Sequence, residues 1–257
     1  MEIGEHIRAV GQDAKLLTEA AEQSGLDANV PSCPGWDTRE LLRHLGMIHL
    51  WAAGHITELH EGSWHTHDQL TEFWPDLAVF WPEDEHLIDW YLKTNANLVV
   101  ALDSAPPGVE SWISPRWEPR RSPVETWARR QAHETAVHRF DAQNAAGIAS
   151  RFDPTFASDG IDEILVGMAP RRRSFRLASQ RTMLFHATDT NDRWHVSIGP
   201  DGISTTRTDG TADVVVSGDA SDLYMAVWNR GDDSNISITG DRELLDAWHA
   251  NEQVRWD

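Results

Sequence analysis

The hydrophobic period of this chain changes once, near residue 150, so two differently built halves must follow each other. Over residues 3–24, Ile7, Val10, Ala14, Leu17 and Ala21 recur at steps of three and four, the stripe of an amphipathic helix, and Gly25 suits its C′ position. Val30-Pro-Ser-Cys-Pro-Gly-Trp-Asp37 reads as a rigid loop, because two prolines and a glycine block regular structure. Asp37 or Thr38 can cap a second helix, with Glu40 near the N3 position of a capping box. That helix is expected to reach about Leu59 and to bury Leu41, Leu45, Ile48, Trp51 or Ala52, and His55 or Ile56.

A Trp- and Pro-rich connection follows at about 62–82, then a third helix from about Glu83 to Leu102, ended by Pro106-Pro107-Gly108. Residues 111–121 read as irregular or a short hairpin. Ser122 and Pro123 suit the cap and first position of a fourth helix, which stops at Gly147. Four such helices with two long connections predict an antiparallel four-helix bundle over residues 1–150.

Beyond a short helix around Ser158–Met168, the period drops to two. Thr182–Ala187, Trp194–Ile198, Gly202–Thr206 and Asp213–Ser217 alternate, and Asn191-Asp192 and Asp201-Gly202 punctuate them, as in an antiparallel sheet. Helical stretches Ala220–Asn229 and Asp241–Glu252 flank a last strand, Ile236–Thr239. Residues 155–257 therefore read as a small α+β domain.

Charge and cysteine content narrow the function classes. With 22 basic against 41 acidic residues, the net charge of −19 argues against a nucleic-acid partner. The single thiol, Cys33, forms no internal disulfide, and a reducing compartment fits best. The first residues lack the basic and apolar regions of a signal peptide, and no run approaches the roughly 18 apolar residues of a membrane helix. The expectation is a cytoplasmic protein, monomeric or homodimeric, without a membrane partner.

Thirteen histidines invite a chemical explanation. His44 on the second helix lies one turn from Leu41 and Ile48 and can face the bundle interior. On the fourth helix Glu134 and His138 are four residues apart and share one face, whereas His133 points about 100° away. The two histidines of His133-Glu-Thr-Ala-Val-His138 are five apart, which excludes the metalloprotease pattern His-Glu-x-x-His. His44, Glu134 and His138 would make a His₂Glu site with one tetrahedral position left for water or a thiol. The same residues also suit a surface i,i+4 contact and a hydrogen-bonded core histidine, and both readings are open at this point.

Longer motifs add a resemblance. Val30-Pro-Ser-Cys-Pro-Gly-Trp-Asp37 followed by Leu41-Leu-Arg-His-Leu-Gly46 resembles the lead-in to helix two of the mycothiol-dependent maleylpyruvate isomerase family. Ala132-His-Glu-Thr-Ala-Val-His-Arg-Phe-Asp-Ala142 is similar to that family's helix-four motif. Val216-Ser-Gly-Asp-Ala-Ser-Asp-Leu-Tyr-Met-Ala-Val-Trp-Asn-Arg230 and Thr239-Gly-Asp-Arg-Glu-Leu-Leu-Asp-Ala-Trp248 resemble its C-terminal domain. The resemblance implies a DinB-like bundle carrying one divalent metal, usually zinc, on His44, Glu134 and His138, and a smaller sterol-carrier-like domain over it. It further implies mycothiol, the actinobacterial counterpart of glutathione, as thiol cofactor, and a small electrophilic substrate. The thiolate would add to an activated cis-alkene, permit rotation and leave again. A substrate with a leaving group or epoxide would instead make the chain a mycothiol S-transferase, and a closed site would make it a non-catalytic binder of metal, thiol or an apolar ligand.

Four further features carry expectations. Asp141 can orient an imidazole from behind or pair with a surface base. Arg230 can hold a carboxylate or lie on the surface. Cys33 suits a buried structural thiol. The arginines 171, 172, 173, 176 and 181 suit pairing with acidic neighbours better than phosphate binding, and some of Trp64, Trp74, Trp81, Trp90, Trp112 and Trp117 should wall an apolar pocket.

Overall fold

The computed structural model describes residues 1–57, 82–106, 108–113, 122–171 and 175–252. The connection read at about 62–82, with Trp64, Trp74 and Trp81, lies almost wholly outside the described residues, as do Trp117, Arg172 and Arg173. The chain forms two compact units, Met1–Ser150 and Arg151–Asp257.

The first unit is a helical bundle of α1 (Ile3–Ser24), α2 (Thr38–Thr57), α3 (Asp84–Asp103) and α4 (Pro123–Ala145). The predicted stripe of α1 is its buried face, and Gly25 ends it at φ 81°. Asp37 caps α2 reciprocally: its N–H donates to Glu40 Oε2 at 2.9 Å, and the Glu40 N–H donates to Asp37 Oδ1 at 2.8 Å. Ser122 caps α4 in the same way, with Pro123 at the first position. On α2 the buried face carries Leu41, Leu42, Leu45, His49, Ala52, Ala53, His55 and Ile56, while Ile48 and Trp51 are only half-buried. The face is therefore turned toward Leu42 and His49. Gly46 faces the Trp90 ring of α3, which leaves no room for a Cβ there.

α4 is unusual in composition for an interior helix. Arg129, Arg130, Gln131, His133, Glu134, Thr135, His138, Arg139 and Asp141 are all buried. Polar and charged groups withdrawn from water must be paired, so this helix is where chemistry is to be sought.

The second unit is α+β. Asp153 caps α5 (Pro154–Asp162) by accepting from the Thr155 and Phe156 N–H groups, so the helix starts four residues before the expected Ser158. It continues as a π-helical stretch over Glu163–Met168 and a 3₁₀ turn over Ala169–Arg171. Strands β1 (Arg181–Ala187), β2 (Arg193–Gly199), β3 (Gly202–Thr206), β4 (Val214–Gly218) and β5 (Ser237–Gly240) form one sheet in the order β3-β2-β1-β4-β5. The sheet is mostly antiparallel. β1 and β4, however, pair parallel, with Phe185 opposite Val216. Met183, Leu184, Phe185 and Ala187 make β1 the most continuously buried strand, fit for the centre rather than an edge. Helices α6 (Ala220–Val227) and α7 (Arg242–Asn251) complete the unit, with Trp248 of α7 5.9 Å from the Phe185 ring.

Candidate metal centre

Three side chains from two helices converge inside the bundle. α4 presents Glu134 and His138 one above the other, and α2 supplies His44. His44 Nε2 lies 3.4 Å from Glu134 Oε1, and His138 Nε2 lies 3.4 Å from the same oxygen. All three donor atoms fall within 4.8 Å of one another. These spacings are long for hydrogen bonds to a carboxylate. They are close to the separation of about 3.3 Å that tetrahedral ligands have around zinc at bond lengths of about 2.0–2.1 Å. A second group, Cys33, His138 and Asp141, also brings potential ligands together, but there His138 Nδ1 stands only 2.7 Å from Asp141 Oδ2. That is a hydrogen-bond length. The first group fits a metal, and the second supports it.

The surroundings prepare each donor. Asp141 is fully buried and accepts from His138 Nδ1–H, which fixes the tautomer and leaves the Nε2 lone pair facing Glu134 and His44. Burial would raise the Glu134 carboxyl, but the facing imidazoles of His138 and His44 and the Arg130 charge hold it well below the usual carboxylate range. The Arg130 guanidinium donates to Glu134 Oε2 at 2.6 Å, leaving Oε1 for the two imidazoles. Burial lowers His44, which favours its neutral form despite Glu134. Burial would also lower His138, yet Asp141, Cys33 and Glu134 together lift it well above its usual value. The Trp36 ring lies against the group, 4.8 Å from the His44 ring and 6.2 Å from that of His138.

A family model described as the mycothiol maleylpyruvate isomerase N-terminal domain matches residues 7–143. The chain belongs to this family. The model of the family's C-terminal domain matches residues 155–247. Among solved structures, the mycothiol-dependent maleylpyruvate isomerase is similar over 100% of this chain and 98% of its own, at 13% identity and a TM-score of 0.66. A histidine-to-alanine mutant of that isomerase gives a TM-score of 0.67 at the same identity and coverage. At such identity the likeness shows the shared fold. Among curated proteins, none matches the sequence.

The remaining residues singled out from the sequence of this maleylpyruvate isomerase family member divide clearly. Asp141 lies 2.7 Å from His138 Nδ1 through Oδ2. Cys33 is half-buried, and its thiol donates to Asp141 Oδ2 at 3.3 Å, so it touches the site's support rather than the apolar core alone. Arg230 follows α6 in the second unit, half-buried, with its guanidinium donating to the Trp228 carbonyl at 3.2 Å. Arg181 pairs with Asp241 at 2.6 Å and Asp213 at 3.3 Å, and Arg171 and Arg176 donate to backbone carbonyls. Trp90 is a bundle core residue, while Trp112 joins Trp51, His55 and Trp127 in a ring cluster with centroids 5.0–6.2 Å apart. Sequence reasoning missed Arg130, Ser32 and Trp36. Arg130 was detectable as the i−4 neighbour of Glu134, whereas the other two lie far from α4 in sequence.

Proposed function

We propose that this chain is a zinc-dependent enzyme that uses mycothiol to isomerise a small electrophilic cis-alkene of the maleylpyruvate type. The observation that carries the reading is the convergence of His44 and His138 on one oxygen of Glu134, each at 3.4 Å. When bound, the metal supplies a charge that deprotonates a coordinated thiol near neutral pH.

The chain's own residues make that binding possible. Three donors are one short of a tetrahedron, which suits an exogenous ligand. Glu134 is held low by the His138 and His44 imidazoles and by Arg130, which pairs with its Oε2, and His44 offers a neutral nitrogen because it is buried. Asp141 keeps the His138 ring turned with Nε2 inward. Trp36 shields the imidazoles with an apolar face. Arg230 keeps its assignment to a substrate carboxylate on the chemistry of its donor fork alone.

Zinc analysis of the wild type and His44→Ala, calorimetry with mycothiol, and NMR-followed turnover of maleylpyruvate test the reading in sequence. The expected results are about one zinc per chain, lost in His44→Ala, thiol-dependent heat, and a trans product only with mycothiol. Equal zinc in both proteins refutes the donor set. Zinc without thiol-dependent heat makes the chain a metal-binding protein, and a stable thioether product makes it a mycothiol S-transferase.

A further inference from the structure

The loop between α1 and α2 touches the metal centre at three places. Its backbone is closed by turns: the Cys33 N–H donates to the Val30 carbonyl, the Trp36 N–H to the Cys33 carbonyl, and the Val30 N–H to the Trp36 carbonyl, each at 3.0 Å. Asn29 and Asp37 form an antiparallel bridge at its base. From this closed loop the Ser32 hydroxyl donates to Asp141 Oδ1 at 2.5 Å, and the Cys33 thiol donates to Oδ2 at 3.3 Å. Asp141 is fully buried, and Oδ2 also receives His138 Nδ1–H at 2.7 Å.

We infer that Ser32 and Cys33 are positioning residues of the metal centre, acting through Asp141 on the ring orientation of His138. This rests on the metal-binding reading above. A carboxylate taken out of water must have its oxygens met by donors. A carboxylate held at both oxygens also cannot rotate, so its plane dictates where the His138 ring points. Ser32 supplies the donor at the oxygen His138 does not use, and Cys33 shares the oxygen that it does. The same loop ends in Asp37, which caps α2, the helix bearing His44. One short segment thus sets both histidines: one through a helix cap, the other through a clamped carboxylate.

The test uses the full chain as Ser32→Ala, Cys33→Ala, Cys33→Ser, Asp141→Ala and the Ser32→Ala/Asp141→Ala double variant. Each is titrated with Zn²⁺ against a chromophoric chelator, and the metal-free proteins are followed by NMR of the imidazole N–H groups. Loss of the group behind a metal-bound histidine weakens metal binding about 10–100-fold, the range expected for Asp141→Ala. Ser32→Ala should lose about tenfold, the lower end of that range. It should lose nothing further on the Asp141→Ala background, because the acceptor through which it acts is gone. Cys33→Ala should weaken binding, and Cys33→Ser, which keeps a donor, should restore it.

Wild-type affinity in Ser32→Ala, or an equal Ser32→Ala loss with and without Asp141, overturns the clamp. Should the wild type and His44→Ala bind zinc alike, the metal reading fails on its own. The clamp is then judged on the His138 Nδ1–H resonance of the metal-free protein. Displacement of that resonance in Ser32→Ala supports the clamp, and an unmoved resonance overturns it.

Discussion

Gly46→Ala tests how the bundle positions the proposed metal ligand on α2. A Cβ at this position would stand 3.1 Å from Cε3 of Trp90 and closer still to Cζ3 and Cη2 of the same ring. Carbon atoms pack comfortably at about 3.5–4.0 Å, so α2 and α3 must separate or the indole must leave its place. Trp90 is only 9% exposed and has little freedom to yield. Two effects oppose each other. Alanine gains about 1 kcal/mol in helix propensity over glycine, while overpacking a filled core costs about 1–3 kcal/mol. With contacts this close the upper part of the second range applies, and the net loss is about 1–2 kcal/mol. His44 lies two residues before Gly46, so displacement of α2 also disturbs the 3.4 Å spacing to Glu134. Urea unfolding of the metal-free protein reads the first effect, and chelator-competed Zn²⁺ affinity the second. Trp90→Phe relieves the clash, so the double variant should exceed the additive expectation by about 1 kcal/mol. Unchanged or increased stability of Gly46→Ala, or simple additivity with Trp90→Phe, refutes the packing argument.

Zinc binding near neutral pH should release about one proton, because Asp141, Cys33 and Glu134 lift the His138 imidazole well above its usual value while burial already favours neutral His44. Calorimetry in buffers of different ionisation enthalpy counts that proton, and a count of zero or two contradicts the assignment. Burial pushes Asp13 up to about 6, against the charge of Arg139 at 3.1 Å. A raised carboxyl stabilises the fold when protonated, so this contribution is present below about pH 4 and lost as pH rises through about 6. The wild type should lose about 2–3 kcal/mol relative to Asp13→Asn between those limits in urea titrations, and the opposite slope would count against it. Asp37→Ala removes the acceptor of the Glu40 N–H at 2.8 Å and should cost about 1 kcal/mol in the thermal stability of the metal-free chain.

The residues most legible in sequence were those whose partners lie within one helical turn. Glu134 and His138 declared themselves by their spacing, and Asp37 with Glu40, and Ser122 with Pro123, by the local chemistry of a cap. The antiparallel neighbours of β1 and β2 followed from turn residues such as Asn191, which takes φ 63°. The parallel β1–β4 pair did not follow. The link from Arg207 to Asp213 carries the chain from β3 at one side of the sheet to β4 beyond β1. No turn signal encodes such a crossing. It depends instead on β1 being the strand buried deeply enough to need partners on both sides.

The support of the metal centre was illegible for a related reason. Ser32 meets Asp141 across 109 positions of sequence, and Cys33 across 108. Between prolines, a serine and a cysteine look like loop filler, and only the folded chain shows both donors aimed at one buried carboxylate. What the sequence does carry is the demand for such partners. α4 places Arg130, Glu134, His138 and Asp141 in the interior within eleven residues of one another, and unpaired burial of those groups would cost more than a domain's whole stability. A helix so charged can be interior only if other segments bring the matching groups: His44 from α2, Ser32 and Cys33 from the loop before it. Reading a buried charge as a request for a distant donor would have pointed to that loop, because it lies immediately before the helix that carries the third proposed ligand.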